Sequence, residues 1–326
     1  MLLILSQYSW YQKITEMEEN INNIIANMSK DEQLNIMQKE VEHGCKIMFN
    51  LSYNWRLKYK DNNEKEDFAF YMFQQQLASI RSIFELSKGI DIYSGQIKYK
   101  VIEPTSIVSI VRSVYERMFI FHCIYVLPET REEQDIFFYI WLIKGLKNRQ
   151  NIEATEQYKE KQLKEKEEIE NAIEKIQIIT NSLNIKRKAK EKILEIANDE
   201  DLTPKGYKFI KNSNNKIVGI KKISLSGASN ELFGKNFPPI YRFFSMHTHP
   251  SYLGTLQFSQ LFDGNEDKSF MLIHLTSIAM FQGKIIHDFV STIEGAKEIF
   301  NNLPKEDRDS CDRIYRCFDN IKESYS

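Results

Sequence analysis

Apolar residues recur at three- and four-residue spacing along most of the chain, which is the spacing of amphipathic α-helices. Glycine and proline, which interrupt helices, number only 12 and 7. The pattern therefore predicts a mainly α fold built as a multi-helix bundle. The predicted helices cover residues 11–28, 31–59, 66–88, 104–126, 131–149, 240–248, 255–262, 268–281, 289–302 and 305–323.

Residues 151–201 are rich in Glu and Lys and predict a protruding charged helical hairpin that turns between Asn181 and Asn184. Such a helix pair packs either on its own chain or on a partner protein, including a second copy. Its basic end, KRKAKEK, is also able to touch RNA phosphates. We expect the segment to serve self-association or partner contact. Its apolar stripe consists of Leu163, Ile169, Ile173, Ile176 and Ile179.

The helical spacing fails between residues 202 and 240, where two β-like runs flank the Asn-rich turn of GYKFIKNSNNKIVGIKKISL. This stretch predicts a small β-hairpin insertion. The sequence then divides into three parts. We expect an N-terminal part of the bundle over 1–150, the charged helical hairpin over 151–201, and a C-terminal part over 202–326 that carries the β-hairpin and an arginine with nearby histidines.

The charge balance, the cysteine content and the N-terminal residues argue against several classes of protein. The 326 residues include 44 Lys and Arg against 45 Asp and Glu, a net charge of −1, so any site for a polyanion such as RNA must be local. Four scattered cysteines without a CxxC motif indicate reduced thiols rather than a disulfide framework. The opening MLLILSQYSW lacks the basic residues and the long apolar run of an export signal. We expect a cytoplasmic protein.

The longest apolar run, IVSIVRSVYERMFIFHCIYVL, has the length of a bilayer-spanning helix. It carries Arg112, Glu116, Arg117 and His122, and several charges at mid-membrane are costly. The run therefore predicts a buried helix and no membrane association. Arg112 and Glu116 are four residues apart and can pair across one helical turn. Such a pair either fixes the helix within the core or lines a site.

The stretch YRFFSMHTHPS, residues 241–251, holds an arginine and two of the six histidines. On one helix, Arg242 and His249 lie within about 20° of each other, whereas Arg242 and His247 differ by about 140°. An imidazole can accept or donate the proton of a ribose hydroxyl, while a guanidinium binds the phosphate. The stretch therefore suits cleavage of RNA without a metal. Tyr241 and Ser245 belong to the same polar side, opposite Phe243, Phe244 and Met246.

An arginine followed by a histidine after four to six residues, near the end of a helix, resembles the motif of HEPN-type nucleases. RFFSMH and RFFSMHTH fit gaps of four and six. The resemblance implies a helical bundle, a homodimer that brings two motifs together, metal-independent endoribonuclease activity, and a role as a toxin or phage-defence effector. It implies Arg242 with His247 or His249 as the catalytic residues, and no cofactor. Phe243 stands where many members carry a polar residue.

A broader resemblance rests on IVRSVYERMFIF, WLIKGLKNRQ, SGASNELF and YRFFSMHTHPS, in this order. These motifs are similar to an uncharacterised bacterial family of helical proteins that has been considered HEPN-like. Its features are an Arg-x-x-x-Glu helix and a late Tyr-x-x-x-Ser-x-x-x-His element, here residues 112–116 and 241–249. The resemblance covers about residues 30–280. If the two elements meet, Arg112 or Glu116 gives an extra phosphate contact or a carboxylate that orients the imidazole.

Two other hypotheses stay open. The first is a non-enzymatic helical interaction protein, in which the arginine and histidines form an ordinary helix end. The second is a zinc hydrolase, because HTHP also resembles the His-x-His-Pro of JAMM metalloproteases. Gln257 and Gln260 stand where that pattern has Ser and Asp, so the third zinc ligand is missing. His287 and Asp288 predict surface or cap positions.

Overall fold

A computed structural model describes residues 28–59, 63–153, 155–203, 205–234, 240–248, 252–262 and 268–324. The helix expected over 11–28 lies outside these residues, except for its last position. Within the described residues the chain forms twelve α-helices and two antiparallel β-hairpins, which confirms the mainly α prediction. In chain order these elements are α1 (Lys30–Lys58), α2 (Glu64–Ser87), β1 (Ile90–Ser94), β2 (Ile97–Val101), α3 (Pro104–Phe121) with a π-helical turn (His122–Val126), α4 (Arg131–Gln150), α5 (Glu156–Ser182), α6 (Arg187–Asn198), β3 (Gly206–Lys211), β4 (Ile217–Ile223), a 3-10 turn (Leu225–Gly227), α7 (Ala228–Phe233), α8 (Ile240–Thr248), α9 (Tyr252–Phe262), α10 (Ser269–Thr292), α11 (Ala296–Asn301) and α12 (Lys305–Ser324).

Contacts divide the chain into two compact units. The first comprises residues 1–118 and 226–326, and the second comprises residues 119–225. The parts expected from the sequence cut the chain differently, since the boundaries at 150 and 201 both fall inside the second unit. The candidate site residues on α3 and α8 belong to the first unit.

The long helix α10 is the centre of the first unit. It is buried around almost its whole circumference and packs on α1, α2 and α12. Gly44 allows α1 to approach closely, because a Cβ there would lie 2.7 Å from Nε2 of the buried Gln282. That amide donates to the carbonyl of Val41 at 3.1 Å. By length and composition α10 is able to cross a membrane, but 89% of its apolar window is buried inside the protein, as in many core helices.

The prediction of two helices over 268–281 and 289–302 is wrong, because α10 runs without interruption from Ser269 to Thr292. Lys284 and Asp288 lie in the gap between the two predicted helices. These two form an ion pair with each other across one helical turn, with side chains only 5% and 2% exposed. Asp288 is therefore not at the surface as expected, since a charge in the core is tolerated when it is paired.

Aromatic packing fixes the end of α1 against α10. Trp55 is fully buried, stacks on Phe70 of α2 with ring centroids 5.5 Å apart, and meets Phe289 edge-on at 5.9 Å. Its indole N–H donates to the carbonyl of Glu294 at 2.9 Å, so a polar atom in the core has a partner. Gly295 follows with a positive φ of 74°, a conformation that glycine adopts without strain.

The second unit has its own core around α4. Phe137 stacks on Phe209 of β3 with centroids 4.5 Å apart, and Lys211 makes ion pairs of 2.8 and 2.7 Å with Glu129 and Glu133. The predicted hairpin is present as β3 and β4. The charged segment forms α5 and α6, which pack on α4 and β4. Leu163 is exposed, contrary to its place in the predicted stripe. The buried apolar residues of the two helices include Ile169, Ile176, Ile193 and Ile196.

A second hairpin, β1 with β2, was not predicted. Its register pairs Ile90 with Val101, Ile92 with Tyr99, and Ser94 with Ile97, so these residues share one face. Most of that apolar face is exposed. The turn contains Gly95 with a φ of 62°, which matches the Ser-Gly dipeptide in the sequence.

Candidate functional site

Helix α3 carries the first two residues of the candidate site. Its apolar side is fully buried at Val111, Val114 and Tyr115, so the intervening positions lie at the edge of the core. Arg112 and Glu116 occupy these edge positions, with side chains 23% and 29% exposed. The Arg112 Nε donates to Glu116 Oε1 at 2.8 Å. The predicted pair across one turn is thus present, and it is accessible to solvent.

Helix α8 packs over this part of α3 through aromatic rings. Phe244 is buried, with its ring centroid 6.1 Å from that of Tyr115. Tyr241 stacks on the ring of Tyr115, and the centroids of these two rings are also 6.1 Å apart. Phe243 and Phe244 both contact the ring of His274 on α10. Ile240 and Phe244, four residues apart and both buried, therefore mark the side of α8 that faces the core.

Tyr241 completes a cluster with the α3 pair. Arg112 Nη2 donates to the Tyr241 hydroxyl at 2.7 Å, and its guanidinium carbon lies 4.9 Å from the centroid of that ring. The Glu116 carboxylate acts on the same hydroxyl electrostatically. We call these three residues the Arg–Glu–Tyr cluster. In the sequence they belong to two separate elements, residues 112–116 and 241–249, which can meet only if α3 and α8 pack together.

The charges of the cluster alter two of its pKa values. Burial raises the pKa of the Tyr241 hydroxyl, and the Glu116 carboxylate raises it further, while the Arg112 guanidinium opposes both. Burial alone would lower the pKa of Arg112, but the hydrogen bond and charge of Glu116 outweigh it, so that pKa is raised. The Tyr241 hydroxyl therefore stays protonated at neutral pH, beside the cation of Arg112.

Ser245 lies one turn after Tyr241 on the same side of α8. Its hydroxyl donates to the Tyr241 carbonyl at 2.8 Å, so its proton is used within the helix. The oxygen can still accept a further hydrogen bond. The structure thus brings Arg112, Glu116, Tyr241 and Ser245 into one region.

Arg242 has a different environment from the cluster. Its side chain is exposed, and among the described residues no hydrogen bond or ion pair engages it. Met246 is also exposed, at 39%, although the sequence placed it on the apolar side of the helix. That placement is wrong because the buried side of α8 is narrower than the helical projection suggested.

The two histidines of the candidate site fall largely outside the description. The backbone of His247 belongs to α8, which covers 240–248 as predicted, but its side chain lies outside the described residues. His249 lies wholly outside them. The pairing of either histidine with Arg242 stays a prediction.

The stretch RMFIFH, from Arg117 to His122, also has the spacing of the HEPN-type motif, but it lies within the protein rather than at a candidate site. His122 is buried in the π-helical turn after α3. Arg117 is half-buried and donates from Nη2 to Ser79 Oγ at 2.5 Å, and burial lowers its pKa. Arg117 and His122 are therefore part of the packed structure and not of the candidate site.

The part of the chain that the structure describes contains no group of three His, Cys, Asp or Glu side chains placed to hold a metal. His287 stacks on Tyr315 of α12 with centroids 3.5 Å apart, and its neighbour Asp288 pairs with Lys284. The zinc hypothesis depends on the HTHP histidines, whose side chains are not among those described.

Two residues behind the cluster were not singled out from the sequence. Tyr115, three residues after Arg112, is fully buried and shares a 3.0 Å hydrogen bond with Ser229 of α7. Burial raises the pKa of Tyr115, so its hydroxyl stays protonated. Ser229 is the second serine of SGASNELF, and Tyr115 lies in IVRSVYERMFIF. The sequence signal for these two residues was therefore their position in two of the motifs quoted above.

Comparison with known proteins identifies a family. Neither the curated proteins nor the solved structures contain a match to the chain. One family model matches residues 66–268, more than half of the chain, and that span includes the Arg–Glu–Tyr cluster and all of α8. The chain therefore belongs to the family of unknown function described as DUF5677.

Proposed function

We propose that the protein is a metal-independent endoribonuclease whose site lies where α8 packs on α3. The observation that carries the proposal is the half-exposed Arg–Glu–Tyr cluster, which adjoins the helix that carries Arg242 and His247. A protein that cleaves RNA without a metal needs cationic donors for the phosphate and groups that move protons. The Arg–Glu–Tyr cluster and the stretch YRFFSMHTHPS contain both cationic donors and side chains that can move protons.

The roles follow from the chemistry of each side chain. Arg242, exposed and unengaged among the described residues, binds a phosphate of the RNA. His247 or His249 transfers protons, because imidazole titrates near neutral pH. With the resemblance to HEPN-type nucleases, the proposal extends to a homodimeric toxin or phage-defence effector that acts in the cytoplasm.

Cleavage of total RNA in EDTA tests this proposal. Purified wild type is compared with the His247→Ala/His249→Ala double variant and with Arg242→Ala. The chelator stops metal-dependent nucleases, and the variants control for contaminating ones. Cleavage by the wild type alone is the expected result. Equal cleavage by all three would reject these residues, and no cleavage by any would reject the nuclease.

A non-enzymatic interaction protein is the second candidate, and an exposed stripe on α1 favours it. Phe49, Tyr53 and Leu57 follow one another at four-residue spacing, and each is more than half exposed. The rings of Phe49 and Tyr53 stack with centroids 5.8 Å apart. If this stripe joins two copies, Tyr53→Glu should lower the molar mass measured by light scattering, while RNA stays intact with the wild type.

A further inference from the structure

We propose that Glu116 is the general base of this nuclease, and that Arg112 and Tyr241 bind the phosphate under attack. This proposal rests on the proposed function and adds catalytic residues to it. It places proton abstraction and binding of the reacting phosphate at the Arg–Glu–Tyr cluster, which is assembled from two helices, rather than at the arginine within YRFFSMHTHPS.

The hydrogen bonds of Arg112 leave part of its guanidinium available. An arginine has five N–H donors. Nε is engaged by Glu116, and Nη2 is engaged by Tyr241. Among the described residues no other hydrogen bond uses Arg112, so the Nη1 end remains for phosphate oxygens. A guanidinium held in a fixed orientation binds phosphate at two points with little loss of conformational freedom.

Glu116 has the chemistry and exposure of a proton acceptor. Its carboxylate is 29% exposed, so a substrate hydroxyl can reach it. Among the described residues, the groups that act on it are the cation of Arg112, the more distant cation of Arg117 and the hydroxyl of Tyr241. Arg112 remains protonated and cannot exchange its proton with the substrate, which leaves the carboxylate as the acceptor.

Tyr241 supplies a neutral donor at the same place. Its raised pKa keeps the hydroxyl protonated over the pH range in which RNA is handled. The hydroxyl accepts its hydrogen bond from Arg112, so its own proton is available to a phosphate oxygen of the substrate. Charge that develops on the phosphate then meets two fixed donors, one cationic and one neutral.

The reaction is an internal transesterification. Glu116 takes the proton of the ribose 2′-hydroxyl, and the 2′-oxygen forms a bond to phosphorus. The bond from phosphorus to the 5′-oxygen breaks, and that oxygen takes a proton from the imidazolium of His247 or His249. The products are a 2′,3′-cyclic phosphate and a 5′-hydroxyl, and no oxidant, reductant or metal is consumed.

A pH–rate profile on an oligoribonucleotide in EDTA tests the proposal. Wild type is compared with Glu116→Gln, which can still accept the Arg112 hydrogen bond but cannot take a proton. We expect kcat/KM to fall by about 10²–10⁴-fold. The acidic limb of the profile should be lost with it. A variant that keeps the acidic limb would overturn the assignment of Glu116 as the base.

The chain offers a matched control. Arg187 and Glu191 on α6 form a pair with the same spacing and the same 2.8 Å contact from Nε to Oε1. Glu191→Gln should leave the profile unchanged. Glu116→Asp keeps a carboxylate one methylene further back, so reduced activity with an intact acidic limb is expected. This variant decides the matter if Glu116→Gln does not fold.

Two further results separate the failure of this proposal from failure of the nuclease itself. An oligonucleotide with deoxyribose at the cleavage position should stay intact, because it lacks the attacking hydroxyl. If the wild type leaves every RNA intact in EDTA, both proposals fall. If the wild type cleaves and the His247→Ala/His249→Ala variant does not, while Glu116→Gln keeps the acidic limb, only the role of Glu116 falls.

Discussion

Nη2 of Arg112 lies 2.7 Å from the hydroxyl of Tyr241, although 129 residues separate the two in the chain. The hydrogen bond joins α3 to α8, and the same guanidinium is engaged at Nε by Glu116. Because the rings of Tyr241 and Phe244 pack on Tyr115, the polar contact lies at the rim of an aromatic core. The orientation of α8 is therefore set by both packing and a directed hydrogen bond.

Tyr241→Phe removes this hydrogen bond and keeps the ring in place. Since the Arg112 donor is half-exposed and water can replace the hydroxyl, we expect a loss of about 0.5–1.5 kcal/mol in the free energy of unfolding. Urea denaturation followed by circular dichroism measures it. Tyr252→Phe is the control, because Tyr252 is 79% exposed and its substitution should change nothing. A loss no greater than that of the control would show that ring packing alone positions α8.

Lys284→Met removes the Lys284 ammonium from the buried carboxylate of Asp288. Breaking one side of a buried ion pair costs about 3–5 kcal/mol, so we expect a large fall in the denaturation midpoint. The double variant Lys284→Met/Asp288→Leu should recover most of that loss, because it removes both charges of the pair together. A single variant as stable as the wild type would mean that Asp288 has another adequate partner.

Glu103 should make stability depend on pH at the start of α3. Burial by itself would raise its pKa, but hydrogen bonds from the backbone N–H groups of Ser106 and Thr105, at 2.6 and 2.9 Å, lower it overall. A lowered pKa stabilises the fold above the ordinary glutamate value of 4.5, and this contribution is lost as pH falls below it.

We therefore expect Glu103→Gln to lower the stability at pH 7 by about 1 kcal/mol, the usual effect of weakening a helix cap. The difference between variant and wild type should shrink as pH falls from about 4.5, the ordinary value, through the lowered pKa of folded Glu103, where the wild-type carboxylate takes up a proton. Thermal unfolding at pH 7 and at pH 3 makes the comparison. A difference that is the same at both values would contradict the assigned cause.

Two buried thiols should resist modification in the folded protein. Burial raises the pKa of Cys45 to about 11 and that of Cys311 to about 12, so almost no thiolate forms at pH 8. We expect iodoacetamide to label both cysteines slowly in buffer and fast in guanidinium chloride. Mass spectrometry of the labelled peptides gives each rate, and fast labelling of either cysteine in buffer would contradict its burial.

The sequence predicted those elements whose apolar spacing is local and uninterrupted. The pair of Arg112 with Glu116 was foreseeable because both residues lie on one helix, four residues apart. Their contact with Tyr241 depends on how two distant helices pack, and helical spacing carries no information about that. The motifs of the broader resemblance were the only signal that joined these three positions.

The errors have physical causes that can be named. Lys284 and Asp288 fall between the helices predicted over 268–281 and 289–302. They form an ion pair inside the core, and the spacing of apolar residues does not reveal such a pair. The β1 and β2 hairpin was missed although Ile90, Ile92, Ile97 and Tyr99 alternate around a Ser-Gly turn. Its short strands lie between two long helices, and the helical spacing on either side outweighed that signal.

The division of the chain affects the order in which the protein can fold during synthesis. All residues of the second unit, 119–225, have been made before translation reaches α10. Helices α1 and α2 precede that unit and pack on each other, but the other part of the surface against which they pack is supplied by α10. The apolar area that α10 covers in the complete protein must therefore stay uncovered on the nascent chain while a later segment completes its fold. A ribosome-bound chain that stops before residue 269 should contain a folded second unit and two helices accessible to chaperones.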